Sequence, residues 1–167
     1  MSETKTLVLS HKQIQQKIIR IAYEIYERNA REEGVVFAGV TGMGSVLARL
    51  LAAKLKEISE LQVDELEITL DKFTKKQPEV TFSKDVDFDG KCLIIVDDVL
   101  NSGRTLTYAL APFVNFEVKK IEVAVLVNRS HKKFPVSADY TGYELATTLS
   151  ENIEVHLDEH DSTVYLQ

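Results

Sequence analysis

The sequence has little of several residue types whose abundance would restrict its class. Its 167 residues include one cysteine, Cys92, no tryptophan, three prolines and seven glycines. A single cysteine excludes an internal disulfide framework, and so few prolines and glycines exclude collagen-like and low-complexity chains. The apolar stretch over residues 35–48 contains three glycines and is too short to cross a bilayer core of about 30 Å as a helix. The composition is that of an ordinary globular protein, and the chain is long enough to form a single domain over residues 1–167.

The chain also has fewer basic than acidic residues. Asp and Glu outnumber Lys and Arg by 26 to 20, which gives a net charge of -6. Bulk electrostatics therefore oppose binding to nucleic acid or to an anionic membrane, so any phosphate site must be local. The N-terminus carries an acid, Glu3, where a secretory signal would be basic, and the apolar run behind it stops at Ser10. We expect a cytoplasmic protein with no membrane partner.

Helical and strand patterns alternate along the chain. Ser10 with Gln13 forms a capping-box pattern, an apolar stripe follows to Ile25, and Gly34 supplies a helix stop. Further helices are predicted over residues 45–59 and 105–111, the second ended by Pro112. Strands are predicted at 35–40, 66–70, 92–96 and 121–127. This alternation predicts an α/β fold with a mostly parallel sheet and helices on both faces.

Two segments stand outside this alternation. The polar stretch over residues 71–90 contains a proline and many charges, and we interpret it as a lid. From residue 131 to 167 the pattern is irregular, with short strand-like pieces at 153–157 and 164–166. We interpret this tail as a flap or an edge of the domain.

The ends of two predicted strands carry the candidate chemistry, because ligands of open α/β sheets bind beyond the carboxyl ends of the strands. Asp97 and Asp98 follow one apolar strand, and a turn of small residues over 101–105 opens a helix. Amides at that helix start can form a nest for a phosphate, and the two carboxylates can bind a sugar diol or, through water, a divalent ion. Taken singly, each of these residues is better explained as a turn or helix cap, but an acidic pair, a nest and a helix start in this order behind a buried strand favour the functional interpretation.

The segment 94–105 resembles the phosphoribosyl pyrophosphate (PRPP) signature of the type I phosphoribosyltransferase family: apolar residues, two acids and a small-residue phosphate loop. Residues 67–70, 124–131 and 139–142 are similar to the bacterial pyrimidine operon attenuators that double as uracil phosphoribosyltransferases, the PyrR-like proteins. The resemblance covers nearly the whole chain. It implies a single-domain type I phosphoribosyltransferase fold and, by analogy, a homo-oligomer, a dimer or larger.

The resemblance also implies roles for individual residues. Asp97 and Asp98 would bind the ribose hydroxyls of PRPP, whose pyrophosphate carries Mg²⁺. The 5-phosphate would lie in the loop made of Asn101, Ser102, Gly103, Arg104 and Thr105. The pyrophosphate would meet the backbone of a second loop, made of Thr41, Gly42, Met43 and Gly44, with the lid closing over the site. No residue is assigned as an acid or base, since such chemistry depends on positioning and charge stabilisation.

The chain departs from its relatives at three places. The loop over residues 41–44 lacks the basic side chains of the attenuators. Any cation facing the leaving group must then be Mg²⁺, Arg104 or one of the lid lysines, Lys72, Lys75 and Lys76. Purine-using members place an acid where this chain has Asn101, which favours a pyrimidine. Ser137 and Tyr143 stand where the attenuators' RNA-binding face would be basic, which argues against an RNA partner.

Three functions are therefore considered. The leading one is an Mg²⁺-dependent transferase acting on uracil, and the alternative is a protein that senses PRPP or UMP with weak or no turnover. A nicotinamide-dependent oxidoreductase is the third, but Leu47 occupies the third small position of that fingerprint. Cys92 is expected to pack in the core, and His131 is left open between surface and function. If Gly103 faces the phosphate, Gly103→Val should abolish ligand binding without unfolding the protein.

Overall fold

The computed structural model describes residues 4–71, 79–129, 131–146 and 151–167. These residues form helices and strands in an alternating order, with a short 3₁₀ turn at Ala111–Asn115. The helices are α1 His11–Asn29, α2 Met43–Ile58 and α3 Arg104–Leu110. The strands are β1 Thr6–Leu9, β2 Gly34–Val40, β3 Gln62–Thr69, β4 Thr81–Phe82, β5 Cys92–Leu100, β6 Lys120–Arg129, β7 Tyr140–Leu145, β8 Ile153–His156 and β9 Thr163–Leu166.

The central sheet has six strands in the order β4-β3-β2-β5-β6-β7, and every neighbouring pair is parallel except β3 with β4. Side chains alternate between its faces and build two cores. One core packs α1 and α2 against residues such as Phe37 and Ile94, and the other packs α3 against Ala38 and Ile95. The predicted α/β fold, with a mostly parallel sheet and helices on both faces, is confirmed.

Several predicted boundaries are wrong, including the start of β3, which lies at Gln62 and not at residue 66. Gly34 begins β2 and does not end α1, which stops at Asn29. Pro112 lies inside the 3₁₀ turn, one residue after the turn begins. Asp97 and Asp98 lie within β5, because pairing with β6 continues past them to Leu100. The capping box at the start of α1 is present as predicted, with both hydrogen bonds formed.

The C-terminal tail divides between two sheets. β7 joins the central sheet beside β6, whereas β8 and β9 form a second, antiparallel sheet with β1 in the order β1-β9-β8. β1 is a strand that the sequence pattern did not predict. The tail is therefore partly an edge of the main sheet and partly a separate sheet. Val164 in β9 and Leu157, just after β8, are buried in the same core as α1 and α2.

The distal part of the predicted lid is anchored by aromatic rings. Phe82 and Phe88 pack against Phe113 in the 3₁₀ turn, with ring centroids 5.0 to 5.5 Å apart, and Phe116 completes the cluster. Phe88 is almost fully buried. This part of the chain is thus fixed to the segment that follows the phosphate loop. The predicted lid lysines, Lys72, Lys75 and Lys76, lie outside the described residues.

Cys92 is buried at the start of β5, as predicted, and burial raises the pKa of its thiol. In the described ranges, none of the helices is both long and apolar enough to cross a membrane.

Candidate functional site

The acidic pair lies where β5 approaches its carboxyl end. Asp97 is only 2% exposed, and its Oδ1 accepts the backbone N–H of Asp98 at 2.9 Å. Asp98 is half-buried. The start of α2 packs directly on this point, since a Cβ placed on Gly44 would stand 3.0 Å from Asp97 Oδ1. The acidic pair and the loop after β2 are therefore brought together, as predicted.

The predicted phosphate loop turns sharply between β5 and α3. Gly103 has a φ of +89° and forms the N-cap of α3. The first helical hydrogen bond runs from Thr107 N to Gly103 O at 2.9 Å, so the amides before it come too early to have a helical acceptor. Ser102 Oγ accepts the N–H of Arg104 at 3.3 Å. The remaining amides of this turn can bind an anion.

A segment that sequence reasoning missed closes one side of the loop. The N–H groups of Lys133 and Phe134 both donate to Ser102 O, at 2.8 and 3.0 Å. A Cβ on Gly103 would lie 3.3 Å from Phe134 Cβ. Both the positive φ at position 103 and the close approach of Phe134 therefore favour glycine there. A branched side chain here strains the loop and its packing, so Gly103→Val should lose stability as well as ligand binding; that the variant still folds stays a prediction.

Arg129 is a second residue that sequence reasoning did not assign. Its Nη1 donates to Asn101 Oδ1 at 3.1 Å, and its Nη2 donates to Glu151 O at 2.7 Å. Its neighbour Asn128 donates from Nδ2 to Glu144 Oε1 at 3.1 Å. Arg129 could have been predicted as a site residue, because it ends β6 and ligands of open α/β sheets bind beyond the carboxyl ends of the strands.

The predicted pyrophosphate loop is shorter than expected. Thr41 is tied to the end of β3, since its N–H and its hydroxyl both donate to Ile68 O at 2.8 Å. Gly42 has a φ of +100° and open space around its Cα hydrogens. Met43 and Gly44 already belong to α2, and the sulfur of Met43 accepts the N–H of Leu157 at 3.3 Å. Only Thr41 and Gly42 form an open loop.

Arg104 does not point freely across the site. Its guanidinium lies over the ring of Tyr108, 4.9 Å from the ring centroid, along its own helix. His131, left open between surface and function, is half-buried two residues before Lys133, where the chain docks on the phosphate loop.

A larger cavity, of about 380 Å³, lies at the opposite edge of the sheet, where β2, β3 and β5 begin. Gly34, Gln62 and Cys92 line it. Ligands of open α/β sheets bind at the carboxyl ends of the strands, so the groove lined by Asp97 and residues 99–106 remains the candidate site, although it is smaller.

Comparison with known proteins agrees with this geometry. Residues 6–161 match the phosphoribosyl transferase domain family. The chain belongs to that family. As a phosphoribosyltransferase domain it is 38% identical to the bifunctional protein PyrR of Bacillus pumilus, over 95% of this chain and 94% of the relative. It is 31% identical to the bifunctional protein PyrR of Haemophilus ducreyi, over 93% of this chain and 91% of that one.

Solved structures show the same phosphoribosyltransferase fold. A hypoxanthine-guanine phosphoribosyltransferase of Bacillus anthracis is 26% identical with a TM-score of 0.72, covering 86% of this chain and 84% of that one. A hypoxanthine phosphoribosyltransferase of Trypanosoma cruzi is 16% identical with a TM-score of 0.78, covering 95% and 90%. The predicted family resemblance and the single-domain α/β phosphoribosyltransferase fold are confirmed.

Proposed function

We propose that this phosphoribosyltransferase moves the phosphoribosyl group of PRPP to uracil and releases pyrophosphate and a nucleoside monophosphate. One observation carries the proposal. The start of α2 lies against Asp97, so an acidic pair, an open glycine loop and an anion-binding turn meet at one edge of the sheet. A sugar that carries phosphate at one end and pyrophosphate at the other needs these three features together.

Each part of the site has a role in this proposal. Asp97 and Asp98 accept hydrogen bonds from the ribose hydroxyls, and the turn over residues 101–105 holds the 5-phosphate. The backbone of Thr41 and Gly42 faces the leaving pyrophosphate. The base attacks as the pyrophosphate leaves from an oxocarbenium-like sugar, so these groups work by positioning and by stabilising charge.

Mg²⁺ fits the donor set of this site. Among the described residues there is no cluster of three or more His, Cys, Asp or Glu side chains that could hold a metal ion directly. Half-buried Asp98 and its neighbour Asp97 offer carboxylate oxygens, which are the ligands that Mg²⁺ prefers, often through water. We infer that these two residues hold the outer water shell of an Mg²⁺ ion carried by pyrophosphate, and that when bound the ion would offset the charge of the leaving group.

Uracil is favoured over a purine by Asn101. This amide accepts a hydrogen bond from Arg129 at 3.1 Å and cannot take up a proton at neutral pH. Relatives of this chain at 31–38% identity are named bifunctional PyrR, whereas the solved structures with this fold include hypoxanthine-guanine enzymes. Purines therefore belong in the test as competing acceptors.

A sensor of PRPP or UMP is the second candidate, and one observation favours it. The open loop at Thr41 and Gly42 carries no basic side chain, and Arg104 lies along its own helix. A pyrophosphate loop without a basic side chain leaves more of the leaving group's charge to Mg²⁺, and such a site would turn over slowly. By family analogy we further infer a homo-oligomer, and we infer a cytoplasmic location. The net charge of -6 argues against an RNA partner.

The test combines ligand binding with turnover. We would measure the melting temperature with Mg²⁺ and PRPP, UMP, GMP or NAD, then pyrophosphate release on adding uracil, hypoxanthine or guanine. A ligand that binds only the folded protein raises the melting temperature. Stabilisation by PRPP with uracil-dependent release supports the enzyme, and stabilisation without release for any base supports the sensor. No stabilisation by PRPP or UMP would contradict both.

Asp97→Asn and Asp98→Asn separate the two functions further. In an enzyme each variant loses PRPP affinity and uracil-dependent release together, whereas a sensor has only affinity to lose. Asp161→Asn on the second sheet's loop is the matched control, and its PRPP affinity should equal that of the wild type.

A further inference from the structure

An exposed arginine, Arg49, lines a groove between α2 and β3. The groove has a volume of about 140 Å³, and its charged lining residues are Arg49, Glu65 and Glu67. Lys56, further along α2, forms an ion pair with Glu65 at 3.4 Å. Arg49 forms no ion pair with any residue that the structure describes. Its charge is therefore available to a ligand.

The ion pair between Lys56 and Glu65 fixes the level of Arg49 along the sheet. α2 runs back from the carboxyl end of β2 to the start of β3, and the two strands are parallel. Arg49 precedes Lys56 by two helical turns, so it lies on the same side of α2 and about 10 Å nearer the carboxyl edge. That distance equals about three strand residues. A guanidinium extended like the Lys56 side chain therefore lies beside residues 68–69, where β3 ends.

The end of β3 is also where the open loop after β2 is attached. Thr41 Oγ1 lies 3.0 Å from Thr69 Oγ1 and 3.2 Å from Glu67 Oε1. Gly42 then forms the N-cap of α2. Long side chains of a helix point toward its N-terminus, so the expected direction of the Arg49 side chain is toward this loop.

The carboxylate of Glu67 makes a cation necessary at this loop. It is half-buried beside Thr41, and residues 41–44 include no basic side chain, so a bound pyrophosphate would be repelled. A guanidinium has five N–H donors and can bond a carboxylate on one edge and phosphate oxygens on another. Arg49 shares its groove with Glu67, which makes it the basic residue placed to offset both charges.

We propose that Arg49 binds the pyrophosphate group of PRPP, with Glu67 holding the guanidinium beside Thr41. This role rests on the proposed function only in that the site must bind PRPP, so it applies to the transferase and to the sensor alike. In the transferase, Arg49 stabilises the charge that collects on the pyrophosphate as it leaves. The guanidinium keeps its own proton throughout, because its pKa lies above 12.

Calorimetric titration in the presence of Mg²⁺ tests the proposal with PRPP, inorganic pyrophosphate and ribose 5-phosphate, which has the sugar and the 5-phosphate without the pyrophosphate. Arg49→Gln should bind PRPP and pyrophosphate roughly tenfold more weakly, or worse, and bind ribose 5-phosphate like the wild type. Arg49→Lys should recover part of the loss, since it keeps the charge without the fork of donors.

Lys56→Gln is the matched control. It removes the same charge from the same side of α2, beside Glu65, but two turns further from the loop. This variant should bind all three ligands like the wild type. Arg49 and Lys56 are both exposed, and melting temperatures check that each variant is folded.

The possible outcomes separate this role from the proposed function. If Arg49→Gln binds PRPP and pyrophosphate like the wild type, the role of Arg49 is overturned and the proposed function stands. An equal loss with ribose 5-phosphate, or an equal loss in Lys56→Gln, would also overturn it, because neither effect comes from a contact with pyrophosphate. A wild type that binds neither PRPP nor ribose 5-phosphate would contradict the proposed function itself, and the role of Arg49 with it.

Discussion

Gly44 at the start of α2 lies against Asp97 in β5 so closely that a Cβ at position 44 would stand 3.0 Å from Asp97 Oδ1 and 2.9 Å from Val96 O. Gly44→Ala must therefore displace either the helix start or the buried carboxylate. We expect a loss of about 1–3 kcal/mol in the free energy of unfolding from overpacking and at least a tenfold loss of PRPP affinity. Chemical denaturation and calorimetric titration with Mg²⁺ and PRPP measure the two effects.

Gly90→Ala is the control for that variant. Gly90, unlike Gly44, has a positive φ of +72°, and a Cβ there meets open space. The variant should lose about 1–2 kcal/mol of stability through backbone strain and keep its PRPP affinity. Equal loss of affinity in both variants would mean that lowered stability, not displacement of Asp97, explains the effect at Gly44.

The contact between Gly103 and Phe134 predicts that substitutions at these two positions have non-additive effects on stability. Gly103→Ala should destabilise the protein by more than the roughly 1–2 kcal/mol of a positive φ, because its Cβ also meets Phe134 at 3.3 Å. Adding Phe134→Gly removes the Phe134 Cβ, whereas the strain of the positive φ and the contact with Phe134 O remain. The double variant should then be more stable than the sum of the single changes predicts, as measured by denaturation in a double-mutant cycle. Strict additivity would contradict the contact.

The hydrogen bond from Arg129 to Asn101 predicts a change in base selectivity. In Asn101→Asp the new carboxylate would lie beside the Arg129 guanidinium, where it is held as an anion close to the acceptor base. We expect pyrophosphate release with hypoxanthine or guanine to rise relative to uracil. Asn115→Asp in the 3₁₀ turn is the control and should leave the ratio unchanged. An unchanged ratio in both variants would remove Asn101 from base selection.

The aromatic cluster around Phe88 predicts that a substitution far from the candidate site will cause a large loss of stability. Phe88 is 1% exposed and packs edge-on against both Phe113 and Phe116. Phe88→Ala should cost about 3–5 kcal/mol in the free energy of unfolding, whereas Val114→Ala on the exposed side of the same turn should change it by less than about 0.5 kcal/mol. Denaturant titration measures both values, and a small effect at Phe88 would mean that this part of the chain is loosely attached.

The loop between β8 and β9 predicts a dependence of stability on pH. The backbone N–H groups of Asp161 and His160, together with His156, donate to the carboxylate of Asp158 and lower its pKa to about 2. A pKa that is lower in the folded protein adds stability above about pH 4, and that stability is lost as the pH falls toward 2.

Asp158→Asn should therefore be less stable than the wild type at pH 6, and the difference should shrink between pH 4 and pH 3. Denaturation at several pH values measures it. Glu159→Gln, whose carboxylate is 84% exposed, is the control. A difference that stayed constant with pH would contradict the assignment.

Much of the central sheet could be predicted from the sequence, because its strands are buried on both faces and appear as uninterrupted apolar runs. β5 shows the limit of that signal. Asp97 is polar yet 2% exposed inside a strand, since backbone pairing with β6 continues through it and its carboxylate binds the next amide. Composition marks where an apolar run ends, whereas the ladder of backbone hydrogen bonds decides where a strand ends.

The site was predicted in part for a related reason. Asp97, Gly42 and Gly103 stand out locally, by charge or by a glycine that needs a positive φ. The contacts of Phe134 with Gly103 and of Arg129 with Asn101 join residues about thirty positions apart, and no short pattern contains both partners. β1 was missed similarly, because four residues make a strand only in the presence of β9.

The pairing of β1 with β9 also sets an order of events during synthesis. Thr6 lies opposite Leu166, so β1 pairs with a strand that is synthesised 160 residues after it. The central sheet, whose parallel neighbours lie much closer in sequence, can assemble earlier, whereas Leu7 and Leu9 have no partner strand until β9 has been made. We therefore expect the small sheet to form last, and a nascent chain released before β9 to keep an exposed apolar strand edge open to aggregation.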